Sequence, residues 1–184
     1  MATVNLLPDA DVSNSPAWTL STGSDIYALL DDDHTGTPTG DGSNISCTAQ
    51  GKSCVVQFES FDNTDVSSID SVQGVIKANV YERAKTYDIG MVIGNNGTGS
   101  ASYAGELTGS QNSSGAWVTY TFTSRATSTS GGSDWTDEDL DNITMTINAQ
   151  ALAPGGTLRV TYAYFIVTYT PSVTVTDNAV FFGA

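Results

Sequence analysis

Alternating apolar and polar residues dominate the chain and predict β-strands. The segment ITMTINA, which begins at Ile143, alternates without a break, and GVIKANVYER, residues 74–83, places Ile76, Ala78 and Val80 on one face. Side chains two positions apart share a face of a strand, so this period indicates strands with one buried face. Gly, Asn, Ser and Asp cluster between these runs, which is typical of turns.

Further runs of this kind predict more strands and no long helix. Pro171 follows the last run and ends it, because proline has no N–H to continue a ladder. Many short strands without a βαβ rhythm predict an all-β fold, an antiparallel two-sheet sandwich with jelly-roll topology. The further runs are VNLL, AWTL, IYALL, ISCTA, CVVQF, YDIGMVIG, SYAGEL, AWVTYTFT and TLRVTYAYFIVTY.

The length of 184 residues suits one domain that carries short arms. We divide the chain into an N-terminal arm or edge strand, residues 1–13, a jelly-roll domain, residues 14–170, and a C-terminal interaction arm, residues 171–184. The boundaries follow the first and last strong strand patterns of the sandwich.

The acidic stretch DWTDEDLDNI, residues 134–143, predicts one short helical turn near residues 136–141. Thr136 is a good N-cap, and Asp139 stands where a capping box places an acid. The other acids fall in the first turn, where the helix dipole favours negative charge. Trp135 is expected to anchor the turn against the sandwich. These roles account for most of the acids without a catalytic or metal site.

The two cysteines lie in ISCTAQGKSCVVQF, residues 45–58. If Gln50-Gly51 is a two-residue hairpin loop, Cys47 lies directly opposite Cys54. Opposed residues of a hairpin can come close enough for a disulfide. In a reducing compartment the same residues would be two free thiols. Both interpretations stay open.

Composition and charge narrow the class of partner. The formal net charge is −14, from 20 acidic and 6 basic residues. Binding to phosphate requires clustered Lys and Arg, so we predict no nucleic-acid partner and no anionic membrane partner. The opening segment MATVNLLPDADV has neither the basic nor the apolar region of a secretory signal, and no apolar run is long enough to span a bilayer.

Catalytic and cofactor motifs are not recognisable in the sequence. His34 is the only histidine and lies in a Gly/Thr-rich loop, without the sequence that surrounds a catalytic serine. The segment GNNGTGS lacks the lysine and the helix of a phosphate-binding loop. We therefore predict no enzyme activity, no catalytic residue and no cofactor.

The loop LDDDHTGTPTGDG, residues 30–42, is the candidate for a bound cation. Its first acids match a calcium-binding EF-hand loop, but Gly42 stands where that loop needs Glu, and no helices flank it. We predict no metal, while a looser calcium site stays open beside a solvated acidic loop. Its oxygen ligands would come from Asp31, Asp32, Asp33 and Asp41.

Large aromatic side chains offer another kind of site. Exposed aromatic rings can stack on sugars, although such residues usually fill a core or an interface. A carbohydrate-binding platform is therefore open as an alternative to buried aromatic residues. The candidates are Trp18, Trp117, Trp135 and the eight tyrosines.

The order of the motifs resembles a jelly-roll domain of virion proteins from tailed, marine-type bacteriophages. The motifs are an I-x-x-V start that leads to Arg83-Ala84, a W-T-x-x-x-L turn, and a closing strand rich in Val and Tyr. The resemblance covers roughly residues 14–170. In this chain the motifs fall at Ile69 and Val72, at Trp135, Thr136 and Leu140, and at residues 160–169.

This resemblance implies a non-enzymatic virion structural protein, a capsid decoration or cement protein that stabilises the assembled head. Its partner would be the major capsid protein, and it would form a homo-oligomer, with a trimer preferred. It would be made in the host cytoplasm and lie on the capsid surface. The alternative is a carbohydrate-binding or host-adhesion module of a head or tail fibre, with a glycan as its ligand.

The C-terminal segment PSVTVTDNAVFFGA lies outside the resemblance and is apolar for a chain end. Disordered tails are usually polar and poor in aromatic residues. We therefore predict that this arm packs on a neighbouring subunit or on the capsid, by addition of a strand to a sheet edge. The candidate interface residues are Val173, Val175, Val180, Phe181 and Phe182.

Overall fold

A computed structural model describes residues 1–31, 43–80, 87–95, 103–107, 117–128, 132–141 and 143–173. Within these ranges the secondary structure is mainly β-strand, and the two helices have four and five residues. The strands are β1 (Ala2–Leu6), β2 (Pro8–Asn14), β3 (Trp18–Leu20), β4 (Ile45–Cys47), β5 (Lys52–Phe58), β6 (Val66–Val80), β7 (Tyr87–Asn95), β8 (Tyr103–Leu107), β9 (Val118–Thr121), β10 (Ile143–Leu152) and β11 (Leu158–Pro171), and the helices are α1 (Tyr27–Leu30) and α2 (Asp137–Asp141).

The strands form two antiparallel sheets. Sheet A has the order β3-β4-β11-β6-β9, with β1 paired to the C-terminal part of β11. Sheet B has the order β2-β5-β10-β7-β8. The chain passes repeatedly from one sheet to the other, so strands that follow each other in sequence are rarely neighbours. This is the two-sheet jelly-roll sandwich that the strand pattern predicts.

Alternate side chains of both sheets fill the space between them. Phe165 of β11 and Phe58 of β5 meet with ring centroids 4.6 Å apart, and both side chains have no exposed surface. Met145 and Ile147 of β10 are buried in the same core. Burial of one such side chain stabilises the fold by roughly 1.5–3 kcal/mol, so the contact between the sheets is the main source of stability.

The acidic turn forms where the sequence predicts it, as helix α2. The Thr136 N–H donates to Asp139 Oδ2 at 3.0 Å, and the Asp139 N–H donates to Thr136 Oγ1 at 3.3 Å. This reciprocal pair is a capping box with Asp in place of Glu. Trp135 is buried, and its Nε1 donates to the Arg125 carbonyl at 2.9 Å. The anchoring role of this tryptophan is confirmed.

The strand predicted at IYALL is wrong, because this segment forms helix α1. The Asp11 carboxylate, from β2, accepts hydrogen bonds from the backbone N–H groups of Ile26 and Tyr27, both at 2.8 Å. It therefore satisfies donors that the start of a helix leaves free. Leu29 and Leu30 are buried as a result. The capping group lies far away in sequence, so the local pattern does not reveal it.

The predicted hairpin at residues 45–58 is also wrong. Strand β4 pairs with β3 and β11 in sheet A, whereas β5 pairs with β2 and β10 in sheet B. The turn between them, with Gly51 at a φ of 72°, carries the chain from one sheet to the other. Cys47 therefore faces Trp18 and Leu158 as strand partners, and not Cys54.

The N-terminal residues belong to both sheets. Strand β1 pairs with β11 in sheet A, and β2 pairs with β5 in sheet B. At the other end, β11 ends at Pro171, as the sequence predicts. Among the described residues, no helix is long and apolar enough to cross a membrane.

Candidate functional site

One cleft stands out among the described residues, at the edge of the sandwich where β1 runs beside the connection from β5 to β6. We call this connection, residues 59–65, the link, and the cavity beside it the link cleft. Its volume is about 350 Å³. The lining residues are Val4, Asn5 and Leu6 of β1, Glu59, Ser60, Phe61, Asp62, Thr64 and Asp65 of the link, Val66 of β6, and Tyr169 of β11.

Backbone hydrogen bonds hold the link in place at both ends. The Glu59 N–H donates to the Leu7 carbonyl at 2.9 Å, and the Leu7 N–H donates to Glu59 Oε2 at 3.3 Å. At the far end, the Val66 N–H donates to the Asn63 carbonyl at 3.0 Å. The Ser172 N–H, just beyond β11, donates to the Asp65 carbonyl at 2.8 Å. The cleft is therefore framed by β1 and by the residues that follow β11.

Two aromatic rings line the apolar part of the cleft. Phe61 turns inward from the link and is 6% exposed, while Tyr169 is half-buried. Their ring centroids lie 5.6 Å apart in an edge-to-face arrangement. This geometry is the favourable one for aromatic pairs. Phe61 thus anchors the link in the core, and Tyr169 keeps part of its ring at the cavity.

Three carboxylates, of Glu59, Asp62 and Asp65, lie on the polar side of the cleft, and all three residues are exposed. The N–H and the hydroxyl of Thr64 both donate to Asp62 Oδ1, at 3.0 and 2.6 Å. These bonds favour the ionised carboxylate and lower the pKa of Asp62. The polar side of the cavity therefore offers hydrogen-bond acceptors that are already charged.

Asp9, on β2, extends this acidic region. Partial burial raises the pKa of its carboxyl, and the nearby charge of Glu59 raises it further. Two carboxylates that are both ionised repel each other, so the Asp9 carboxyl gains a proton more readily beside Glu59. A ligand that donates hydrogen bonds or carries positive charge would relieve this repulsion.

The cleft does not resemble a metal site. Within the described ranges, no group of three or more His, Cys, Asp or Glu side chains is arranged to hold a metal ion. Asp31 is described and forms a β-bridge with Tyr162. The other acids of the loop left open as a calcium site, Asp32, Asp33 and Asp41, and also His34, lie outside the described residues.

Of the two interpretations left open for the aromatic residues, burial is the correct one for two of the tryptophans. Trp18 and Trp135 are 2% and 5% exposed and face the core. Trp117 is half-buried beside β9. Tyr87 and Tyr120 are also buried, where their hydroxyl groups share a hydrogen bond between the sheets. The sequence does not distinguish these core rings from exposed ones, because both occur in alternating strands.

A second aromatic group lies on the outer face of sheet A but is not open for stacking. Tyr162 is 5% exposed, and the Lys77 ammonium lies 5.4 Å from its ring centroid. Its hydroxyl is 3.1 Å from Thr119 Oγ1, and its ring packs at a tilt on Tyr164. Neighbouring side chains already cover the ring of Tyr162, so a sugar cannot stack on it. The link cleft is therefore the better candidate for a binding site.

The two cysteines are described as free thiols, both fully buried. Cys47 Sγ donates to the Ala49 carbonyl at 3.2 Å. Burial raises the pKa of the Cys54 thiol, and the nearby Cys47 raises it further. The predicted hairpin, in which the two cysteines would be opposite each other, does not form. The two thiols nevertheless lie close enough to influence each other electrostatically. A disulfide between them stays a prediction, which mass spectrometry without reductant tests.

Of the predicted interface residues, only Val173 lies within the described part of the chain. It is 85% exposed. Val175, Val180, Phe181 and Phe182 lie outside the described residues. The interface on the C-terminal arm therefore stays a prediction.

Sequence reasoning missed the link cleft. The segment ESFDNTD, residues 59–65, matches neither a strand nor a helix pattern. A single Phe inside an acidic loop is the one signal that it contains, since a large apolar residue in such a loop needs a place to be buried. Tyr169 carries no distinguishing signal within its strand.

Comparison with known proteins gives no family for this chain. No protein-family model matches it, and no curated protein matches it. The CBM36-1 domain of a multidomain xylanase from the hindgut metagenome of Trinervitermes trinervoides aligns with 83% of this chain and 98% of that domain, at 10% identity and a TM-score of 0.41.

Two other solved structures align in a similar way. The CBM32 of AlyQ, solved in complex with 4,5-unsaturated mannuronic acid, aligns over 88% of this chain and 100% of that chain, at 14% identity and a TM-score of 0.40. The N-terminal cellulose-binding domain of a β-1,4-glucanase from Cellulomonas fimi aligns over 88% and 93%, at 13% identity and a TM-score of 0.37. Likeness at this level carries no argument about what this chain binds.

Proposed function

We propose that this chain is a binding module without catalytic activity that holds a carbohydrate in the link cleft. The observation that carries the proposal is the meeting of an aromatic pair, Phe61 and Tyr169, with three carboxylates in one cavity. Sugars present C–H groups on one side and hydroxyl donors at their rim. The link cleft offers a partner for each kind of group.

The size of the cavity supports a small ligand. Ligand pockets in proteins usually have volumes of roughly 300–1,000 Å³, with mainly apolar walls and a few polar groups that fix orientation. The link cleft, at about 350 Å³, lies at the small end of that range. It therefore suits one or two sugar rings, with the remainder of a longer glycan in solvent.

The state of Asp62 argues against a role for this residue as the acid of glycoside hydrolysis. Glycoside hydrolysis requires a carboxylic acid whose pKa is raised, so that it can protonate the leaving group. The hydrogen bonds from Thr64 instead lower the pKa of Asp62. This carboxylate accepts hydrogen bonds at neutral pH and is poorly suited to donate a proton.

Removal of the Tyr169 ring tests the proposal. Loss of a stacked ring costs about 0.5–1.5 kcal/mol, so Tyr169→Leu should weaken glycan binding by about two- to twelvefold. A glycan array followed by calorimetry on the best ligand measures this. Tyr27→Leu, at a half-buried tyrosine that does not line the cleft, is the matched control and should bind as the unchanged protein does. Equal affinity of the Tyr169→Leu and unchanged proteins would overturn the proposal.

A second candidate is the structural one, a decoration protein on a bacteriophage capsid. The observation that favours it is Val173, an exposed apolar residue just beyond β11 at the start of the C-terminal arm. An apolar residue at the start of such an arm is compatible with a protein partner, either the major capsid protein or another copy of the chain. Both candidates agree with a sandwich that presents loops for binding.

Mixing the protein with empty phage shells separates the two candidates. The structural candidate expects saturable binding in a fixed ratio to the capsid subunits, and loss of binding when residues 174–184 are deleted. The deletion keeps Ser172 and its hydrogen bond to Asp65, so the cleft is retained. If the shortened protein still binds the shells, the C-terminal arm is not the segment that binds the capsid.

A further inference from the structure

All of the charge at the link cleft has one sign. Glu59, Asp62 and Asp65 line the cavity, and none of the described residues that line it is basic. Asp9 adds a fourth carboxyl close to Glu59. These carboxylates attract a positively charged ligand. The formal net charge of −14 for the whole chain adds to this attraction.

We infer that the link cleft selects a glycan with a free amine, an amino sugar, over neutral and acidic sugars. This inference rests on the proposed function and names its ligand class. An ammonium group has three hydrogen-bond donors and a positive charge, and carboxylates accept hydrogen bonds from charged donors more strongly than from neutral ones. A uronic acid would bring a further negative charge against Glu59, Asp62 and Asp65.

The aromatic side of the cleft adds an apolar surface to the charged one. The Phe61 and Tyr169 rings both line the cavity, Phe61 almost fully buried and Tyr169 half-buried. The side chains of Val4, Leu6 and Val66 complete the apolar lining. A simple cation or a free amine gains little from such a wall, whereas a sugar ring can pack on it. The acids then decide which substituent on the ring is preferred.

The hydrogen bonds of the acids leave room for a ligand. Thr64 occupies one oxygen of Asp62, and the Leu7 N–H occupies one oxygen of Glu59. These bonds hold both side chains in position without neutralising them. Each carboxylate therefore keeps an oxygen to which none of these bonds is made, and so keeps acceptor capacity.

Three oligosaccharides that share a β-1,4-linked backbone test the inference. They are a tetramer of glucosamine, its fully N-acetylated form and a tetramer of glucuronic acid. The titrations are made at a mildly acidic pH, at which the sugar amines are protonated and the carboxylates of the cleft stay ionised. We expect the amine form to bind about tenfold or more tightly than the acetylated form at 20 mM salt, and the acid form to bind most weakly. At 500 mM salt the difference should shrink to about threefold or less, because salt screens charges beyond a few ångströms.

Two variants locate the effect. Glu59→Gln and Asp65→Asn should each reduce the preference for the amine form over the acetylated form, because each removes one negative charge and keeps a side chain of nearly the same shape. Asp25→Asn, at an exposed carboxylate outside the cleft that is bonded to Ser24, controls for attraction by net charge and should change nothing. Calorimetry at both salt concentrations measures all of these affinities.

The failure of this inference differs from the failure of the proposed function. If the acetylated or acidic tetramer binds as tightly as the amine form, or if Asp25→Asn has the same effect as Glu59→Gln, the charge selection is overturned. The proposed function then stands on the remaining glycan binding. If none of the three tetramers and no glycan on the array binds, the proposed function fails and the inference fails with it.

Discussion

The turn at Trp135 and the link at Phe61 both place several carboxylates beside a buried aromatic ring. In the turn, Asp139 and Thr136 bond to each other within one helical turn, and the other acids lie at the start of α2. In the link, the acids line a cavity whose walls come from β1 and β11. The comparison shows that the role of an acidic cluster depends on its neighbours. Acids that bond within their own turn stabilise a helix, whereas acids that line a cavity are available to a ligand.

The two regions also touch. Asn63, in the link, donates from Nδ2 to Asp137 Oδ2 at the start of α2. On the other side of the helix, Asn95 Nδ2 donates to the carbonyl groups of Glu138 and Asp139 at 3.0 and 3.3 Å. The turn is therefore held from β7 and from the link, and the carboxylates of Asp137 and Asp139 accept hydrogen bonds from within the chain.

The largest expected effect comes from the two aromatic anchors. Phe61→Ala and Trp135→Ala should each lower the free energy of unfolding by about 3–5 kcal/mol, because each leaves a cavity in the core. Urea unfolding followed by circular dichroism measures the loss. Phe61→Leu and Trp135→Phe keep most of the buried volume and serve as controls. A loss below about 1 kcal/mol for Phe61→Ala would mean that the link is not anchored by its phenyl ring.

How far the sequence predicts each region follows from the distance between partners. The turn at α2 was predicted because Thr136 and Asp139 are three residues apart, and their spacing alone identifies a capping box. The two-sheet sandwich was predicted because alternation is visible within each strand. Residues that interact across only a few positions can therefore be recognised in a single sequence.

Partners from distant segments were not predicted. Helix α1 depends on Asp11, the cysteine hairpin fails because β4 and β5 join different sheets, and the link cleft needs Tyr169 beside Phe61. No local sequence pattern predicts these contacts, because the strand order of a jelly roll places residues that are distant in sequence beside each other. The candidate site therefore became visible only in three dimensions.

An intermediate effect is expected at the cap of α2. Thr136→Ala removes the hydroxyl that accepts from the Asp139 N–H, and should cost about 1 kcal/mol of stability. Glycan binding should stay unchanged, since Thr136 does not line the cleft. Thr123→Ala, at an exposed threonine after β9, is the control and should have little effect. Loss of binding at constant stability would show that the acids of the turn act in recognition and not in capping.

The smallest effect concerns the titration of Asp62. Its pKa is lowered in the folded state by Thr64, so its contribution to stability is present above the unfolded pKa, about 3.9, and is lost as pH falls through the folded value. Thr64→Val should raise the pKa of Asp62, and it should make the protein slightly less stable at pH 7 with no difference at strongly acidic pH. Carboxyl NMR during a pH titration measures the shift, and an unchanged pKa would contradict the role of Thr64.

The most direct test of the account is the position of bound sugar on the protein. Amide NMR spectra recorded during titration with the best glycan should show shifts at Asn5, at residues 60–66 of the link and β6, and at Tyr169. The amides around Trp135 and those around Tyr162 should move little. This result would place the ligand in the link cleft. Shifts concentrated on the outer face of sheet A, at Lys77, Thr119 and Tyr162, with none in the link, would contradict the central claim.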